Sequence, residues 1–181
     1  MSEQDQAALR RLLLERSVKQ GDFVLASGQR SSYYIDCRPT TMSADGMVLI
    51  GRLGLEAIRR AGWRPQAVGG LTMGADPVAY AIAAASYGTD LQMDAFSVRK
   101  EAKGHGTGRG IEGNFSPGFE VVIVEDVITT GGSARRAIEA AESAGGKVLG
   151  VLAVVERGRE ALQGEAIKVI ALADAGELGV G

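Results

Sequence analysis

Residues 121–133 read "VVIVEDVITTGGS", and the order of residue types in this stretch decides the architecture. Val121 to Val124 form a mostly β-branched run with no polar face, as in a strand covered on both sides. Glu125 and Asp126 follow, and are expected to emerge at the strand's tip. Thr129, Thr130, Gly131, Gly132 and Ser133 then make a turn of small residues that opens a helix over 132–144.

Working outward, the same alternation recurs. "KVLGVLAVV" (147–155) and "IKVIALA" (167–173) read as strands, as do "LQMDAFSV" (91–98) and "AVGGL" (67–71). A long helix is expected from Ser43 as N-cap to about Ala61, stopped by Gly62, and Asp76-Pro77 is expected to cap another with proline at its first position. Strands alternating with helices, several of them apolar on both faces, predict an α/β fold: a mostly parallel sheet flanked by helices. Residues 5–18 place Leu9, Leu12, Leu13 and Val18 at helical spacing, and "DFVLASGQRSSYYID" (22–36) reads as two short strands around a Ser-Gly turn. These fall outside the alternation and predict an N-terminal helix–hairpin hood, about residues 1–40, over one end of a single domain spanning 1–181.

Composition narrows the function. The 181 residues are 45% hydrophobic and 23% charged, ordinary for a globular protein. A formal net charge of −2 carries no basic signature, so nucleic acid is not an expected partner. Cys37 is the sole cysteine, which excludes an intrachain disulfide and fits a reducing compartment. The N-terminus lacks a signal peptide's order, and no apolar run reaches the length of a membrane span. A cytoplasmic protein without membrane association is expected.

In a parallel sheet, ligands gather at the carboxyl ends of the strands. Small residues at 129–133 let successive backbone N–H groups converge, and the helix N-terminus adds partial positive charge, which suits a phosphate. Adjacent acids contradict that reading unless they hold something else, and vicinal sugar hydroxyls are good candidates. A phosphorylated sugar satisfies both halves. The bland alternative is that acids merely end a strand and Thr-Gly-Gly merely turns.

"VVIVEDVITTGGS" resembles the phosphoribosyl pyrophosphate motif of type I phosphoribosyltransferases, and within them the chain is similar to the orotate-using branch. "RKEAKGHG" (99–106) resembles that branch's mobile catalytic loop, "VVERG" (154–158) its strand-end arginine, and "SGQRSSYYID" (27–36) its base-covering hairpin. The resemblance implies transfer of ribose 5-phosphate from phosphoribosyl pyrophosphate to orotate, giving orotidine 5′-monophosphate and pyrophosphate. It also implies Mg2+ carried by the diphosphate substrate, no dedicated protein metal cage, and a homodimer sharing loop 99–113 across its interface.

Residue roles follow from the same resemblance. Lys103 is the expected main catalytic residue, with Asp126 assisting proton movement. Arg99, Lys100, Lys103 and His105 bind the pyrophosphate, while Glu125 and Asp126 hold the ribose hydroxyls. Thr130, Gly131, Gly132 and Ser133 hold the 5′-phosphate, and Val127, Ile128 and Thr129 complete that substrate-binding run. Thr129 and Arg157 contact orotate, the arginine with its planar fork of donors.

Two stretches depart from the pattern. Many relatives carry a lysine where this chain has Ala26, and another in the loop that here reads "TMGADP", with Met73 and Gly74. "GRGIEG" (108–113) spells G-x-G-x-x-G but neither follows a strand nor opens a helix, so no dinucleotide site is expected there. Two rivals remain on the residues alone: a purine phosphoribosyltransferase, and a regulator that senses phosphoribosyl pyrophosphate without catalysis.

Overall fold

Strands that are apolar on both faces need cover on both faces, and the chain supplies it with helices of two kinds. The computed structural model describes residues 2–24, 28, 30–100, 110–158, 162 and 166–180. In chain order these form α1 (Glu3–Arg16), β1 (Val18–Val24), β2 (Arg30–Ile35), α2 (Arg38–Thr41), α3 (Ala44–Arg60), β3 (Ala67–Leu71) and α4 (Ala75–Ser86). There follow β4 (Asp94–Val98), β5 (Ile111–Gly113), β6 (Glu120–Ile128), α5 (Gly132–Ser143), β7 (Lys147–Glu156) and β8 (Val169–Asp174).

The main sheet has the order β5-β4-β3-β6-β7-β8. All neighbours run parallel except β5, which pairs antiparallel with β4 at the edge. From β3 the chain moves to β4 on one side and then returns to β6 on the other. The carboxyl ends of β3 and β6 therefore flank a topological switch point, where a crevice opens between diverging loops.

Alternation along β6 divides the core. Val122 and Val124 face one layer with Leu9, Ile50, Leu53 and Ile82 of the helices α1, α3 and α4. Val121 and Ile123 face the other, against Ala134, Ala137, Ile138 and Ala141 of α5. Small alanines along α5 let that helix lie close to the strands, and its N-terminal end is thereby fixed against β6.

Several expected boundaries shift. The first helix ends at Arg16, and Val18 already belongs to β1. Its hairpin with β2 forms a separate two-stranded antiparallel sheet. The Ser-Gly turn lies mostly outside the described residues, as does Ala26. Ser43 caps α3 as expected, accepting from the Gly46 N–H at 3.1 Å. The helix after β3 starts at Ala75 with Gly74 as N-cap, so Asp76-Pro77 does not cap it. Asp76 instead accepts a hydrogen bond from Ser97 at 2.7 Å, a partner from β4 that the local sequence does not reveal. The short α2 and β5 were not expected, since each is too short to show a period.

Candidate active site

The main correction concerns the paired acids. β6 does not end at Glu125; its ladder with β7 continues through Val127↔Val155 and Ile128↔Glu156. Glu125 and Asp126 are therefore strand residues, and successive strand side chains leave opposite faces. Glu125 is 6% exposed and lies against the turn that opens α5, whereas Asp126 looks toward the hood.

Two hollows meet at Glu125. One, of about 320 Å³, is bounded by Tyr34, Asp36 and Arg38 from the hood side, loop 72–74, Lys100, and the acids. The other, of about 210 Å³, is formed by residues 127–133 with Arg136. Glu125, Val127 and Ser133 line both, so the hollows are continuous.

The second hollow has the features of an anion cradle. Gly131 caps α5 with φ +81°, and a Cβ there would lie 2.7 Å from the Leu162 side chain. Both the left-handed backbone and the close approach exclude larger residues. The first-turn N–H groups of Gly132, Ser133 and Ala134 have no acceptor within their own helix. α5 has no acid in its first turn, and Arg135 donates to the Thr130 carbonyl at 3.2 Å. Arg136 sits one turn beyond Ser133 on the same face of the helix. It was not singled out in the sequence, although its three-residue offset from Ser133 carried the signal.

In the first hollow, burial raises both acids above their usual range. Glu125 is pushed up to about 8, first by desolvation and then by the neighbouring Asp126 charge, with Arg136 and Lys100 opposing. Asp126 is raised by desolvation, offset in part by the Val127 N–H, which donates to it at 2.8 Å. Two desolvated carboxyl groups that form no ion pair among the described residues favour ligands that bring hydroxyl donors or positive charge.

This makes a stability prediction. A carboxyl whose folded pKa exceeds its unfolded value stabilises the protein fully below the unfolded value. That contribution is lost as pH rises through the folded one. Glu125→Gln should therefore melt at a higher temperature than wild type at pH 9, with the gap closing toward pH 5. The gap corresponds to on the order of a few kcal/mol. A gap independent of pH, in thermal melts of the ligand-free proteins, would mean that Glu125 ionises freely.

The remaining expected residues divide by position. Lys100 lines the first hollow. Arg99 directly follows β4 and lines neither hollow; its Nε donates to Glu112 at 2.9 Å and its backbone N–H to the Gly110 carbonyl at 2.8 Å. Lys103 and His105 lie outside the described residues. Thr129 and Arg157 start neighbouring strand-end loops, with the Arg157 N–H bonded to the Ile128 carbonyl at 2.8 Å. The Arg157 side chain contacts neutral groups of the hood. Nε donates to the Tyr33 hydroxyl at 3.1 Å and Nη2 to Ser31 Oγ at 3.0 Å, with the guanidinium 4.5 Å from the Tyr33 ring centroid.

Gly74 lies close against the acid: a Cβ there would lie 2.7 Å from Asp126 Oδ1 and displace that carboxyl group. Among the described residues no group of three or more His, Cys, Asp or Glu is arranged to hold a metal ion. No described helix is long and apolar enough to cross a membrane.

A mostly parallel sheet whose switch point carries an anion cradle beside buried acids suits a transferase that handles a phosphorylated sugar, and the comparisons agree. The phosphoribosyl transferase domain model matches residues 45–174, and the chain belongs to that family. Within the family it falls among the orotate phosphoribosyltransferases. It is 45% identical to the enzyme of Aquifex aeolicus over 176 residues, covering 94% of this chain and 95% of that one. The Mycobacterium tuberculosis orotate phosphoribosyltransferase in complex with Fe(III) dicitrate superposes with a TM-score of 0.84 at 42% identity, over 97% of this chain and 99% of that one. The same enzyme in complex with 5-phospho-α-D-ribosyl 1-diphosphate superposes with a TM-score of 0.80 at 37% identity, over the same shares.

Proposed function

We propose that the two joined hollows are the active site in which this orotate phosphoribosyltransferase works. The enzyme transfers ribose 5-phosphate from phosphoribosyl pyrophosphate to orotate, releasing pyrophosphate and forming orotidine 5′-monophosphate. The observation that carries the site assignment is the continuity of the cradle at 129–133 with the buried acids. A sugar phosphate laid across Glu125, Val127 and Ser133 has its phosphate on the cradle and its hydroxyls beside the carboxylates.

The chemistry then divides among named groups. As the bond to pyrophosphate breaks, the anomeric carbon gains positive character and the leaving group gains negative charge. Asp126 and Glu125 accept hydrogen bonds from the ribose hydroxyls, and Asp126 assists proton movement. Arg99, Lys100, Lys103 and His105 of loop 99–113 answer the charge on pyrophosphate, which is supported by the position of Lys100 at the hollow. Mg2+ would be carried by the diphosphate, whose hard oxygen ligands suit it better than a protein cage, and would offset the charge of the leaving group. Closure of the loop excludes water from the reacting carbon.

Orotate belongs on the side where Thr129 and Arg157 emerge, under the hairpin. The proposal extends to a single domain over 1–181, with about 1–40 as hood, to a cytoplasmic setting, and to a homodimer sharing loop 99–113. Loss of orotate absorbance with phosphoribosyl pyrophosphate and Mg2+, run beside adenine, hypoxanthine and uracil, tests the substrate. Activity with a purine and none with orotate would overturn the assignment.

Arg157 gives a sharper check. Arg157→Ala should raise the Michaelis constant for orotate and leave phosphoribosyl pyrophosphate binding nearly intact. Arg157→Lys should rescue little, because a point charge cannot reproduce the fork. The hood contacts supply the alternative outcome: if melting temperature falls while orotate affinity holds, Arg157 serves only to pin Tyr33 and Ser31.

A further inference from the structure

One cation of the first hollow has no part in the scheme above. Arg38 opens α2, directly after the hairpin, and lines the hollow together with Tyr34, Gly74 and Asp126. Its direction is set by Asp36. Nε donates to Asp36 Oδ1 at 2.8 Å, Nη2 to Oδ2 at 2.9 Å, and the Arg38 backbone N–H to Oδ1 at 3.1 Å. Two parallel N–H···O bonds hold a guanidinium in one plane and one orientation. The hydrogen bonds from Arg38 also keep the Asp36 carboxyl below its usual range, so the pair persists as an ion pair.

The charges around the hollow explain why such a pair belongs there. Asp36, Glu125 and Asp126 line it, and its described cations are Arg38 and Lys100. A ribosyl diphosphate brings several further negative charges into a partly desolvated space, which is costly without fixed cations. The loop after β3 supplies none: Thr72 and Met73 are neutral, and position 74 is a glycine set close against Asp126. Lys100 comes from the stem of loop 99–113. Arg38 is the cation held ready on the hood side, and its charge also acts on Asp126.

We propose that Arg38, oriented by Asp36, binds the diphosphate of the sugar substrate, and that Asp36 is a positioning residue acting through it. A planar fork suits adjacent phosphoryl oxygens, and one already held by a carboxylate loses little freedom on binding. The inference rests on reading the hollow as the phosphoribosyl pyrophosphate site.

The test uses the full chain, calorimetric titration, and two probes: magnesium pyrophosphate and ribose 5-phosphate. Wild type should bind both. Arg38→Ala should weaken pyrophosphate by roughly 10- to 100-fold, the range for losing hydrogen bonds to a charged group. Ribose 5-phosphate affinity and melting temperature should stay unchanged. In steady-state kinetics the Michaelis constant for phosphoribosyl pyrophosphate should rise and that for orotate should not. Arg38→Lys, which keeps the charge without the fork, should recover only part. Asp36→Asn should give an intermediate loss for pyrophosphate alone. Wild-type pyrophosphate affinity in Arg38→Ala overturns the proposal, and so does an equal fall for both probes, the signature of a structural clamp. Should Arg38→Ala fail to fold, unchanged pyrophosphate affinity in Arg38→Lys overturns it. A wild-type chain that binds neither probe overturns the reading of the hollow itself, and this inference with it.

Discussion

Lys103→Ala is expected to lower kcat by roughly 10²–10³-fold while the Michaelis constant for orotate stays near its wild-type value. The reason lies in where charge develops. Substrate pyrophosphate is already anionic, but its share of negative charge grows only as the glycosidic bond breaks. A cation placed there acts mainly on the transition state, so its loss appears in turnover. The segment carrying Lys103 leaves from a defined stem: β4 and β5 pair through Val98↔Ile111, and Arg99 is clasped by Glu112. That stem also presents Lys100 to the hollow. An unchanged turnover number in Lys103→Ala would remove this residue from the mechanism.

The second large effect is a recovery of activity. Arg157 belongs to the body of a subunit, at the end of β7, whereas Lys103 belongs to loop 99–113. If each loop completes the neighbour's site in a two-fold dimer, every site takes its body from one chain and its loop from the other. Lys103→Ala chains are nearly inactive alone, and so are Arg157→Ala chains at orotate concentrations well below their raised Michaelis constant. In their heterodimer one site carries both defects and the other none. Random one-to-one mixing makes about half the dimers hybrid, so about a quarter of wild-type activity should return. A loop serving its own subunit leaves one defect in every site, and mixing then recovers nothing. Verified subunit exchange without recovered activity would sink the shared-site arrangement.

The parts of the site legible in the sequence are those made by neighbours in the chain. Gly131, Gly132 and Ser133 form a turn because of what they are, and a buried strand before them and a helix after them follow from local pattern. The acids were legible as a pair but not in their directions. Ending the strand at Glu125 placed both at one tip. Pairing with β7 carries the strand on to Ile128 and turns the two side chains to opposite faces.

Arg136 stood within reach of a helical-offset argument from Ser133. Asp36 and Arg38 did not, because nothing local says that the end of the hairpin turns into the hollow beside β6. The same holds for Arg157, whose bonds to Tyr33 and Ser31 span 124 and 126 positions of sequence. Asp76 is a smaller case: its acid-proline pairing reads as a cap, and only the arrival of Ser97 from β4 gives it another partner.

By itself, then, the sequence determined the α/β class, the glycine turn that opens α5, and the presence of paired acids and loop cations. Each of these depends on residues within about one helix or strand of one another, where backbone geometry and side-chain type suffice. Only the tertiary structure decided which acid faces the cradle and which the hood, that Gly74 lies close against Asp126, and that a guanidinium from the hood lines the first hollow. Those features depend on how distant segments are brought together by burial of the two core layers, and burial is non-directional: it selects the packing, and the packing alone aims the polar groups.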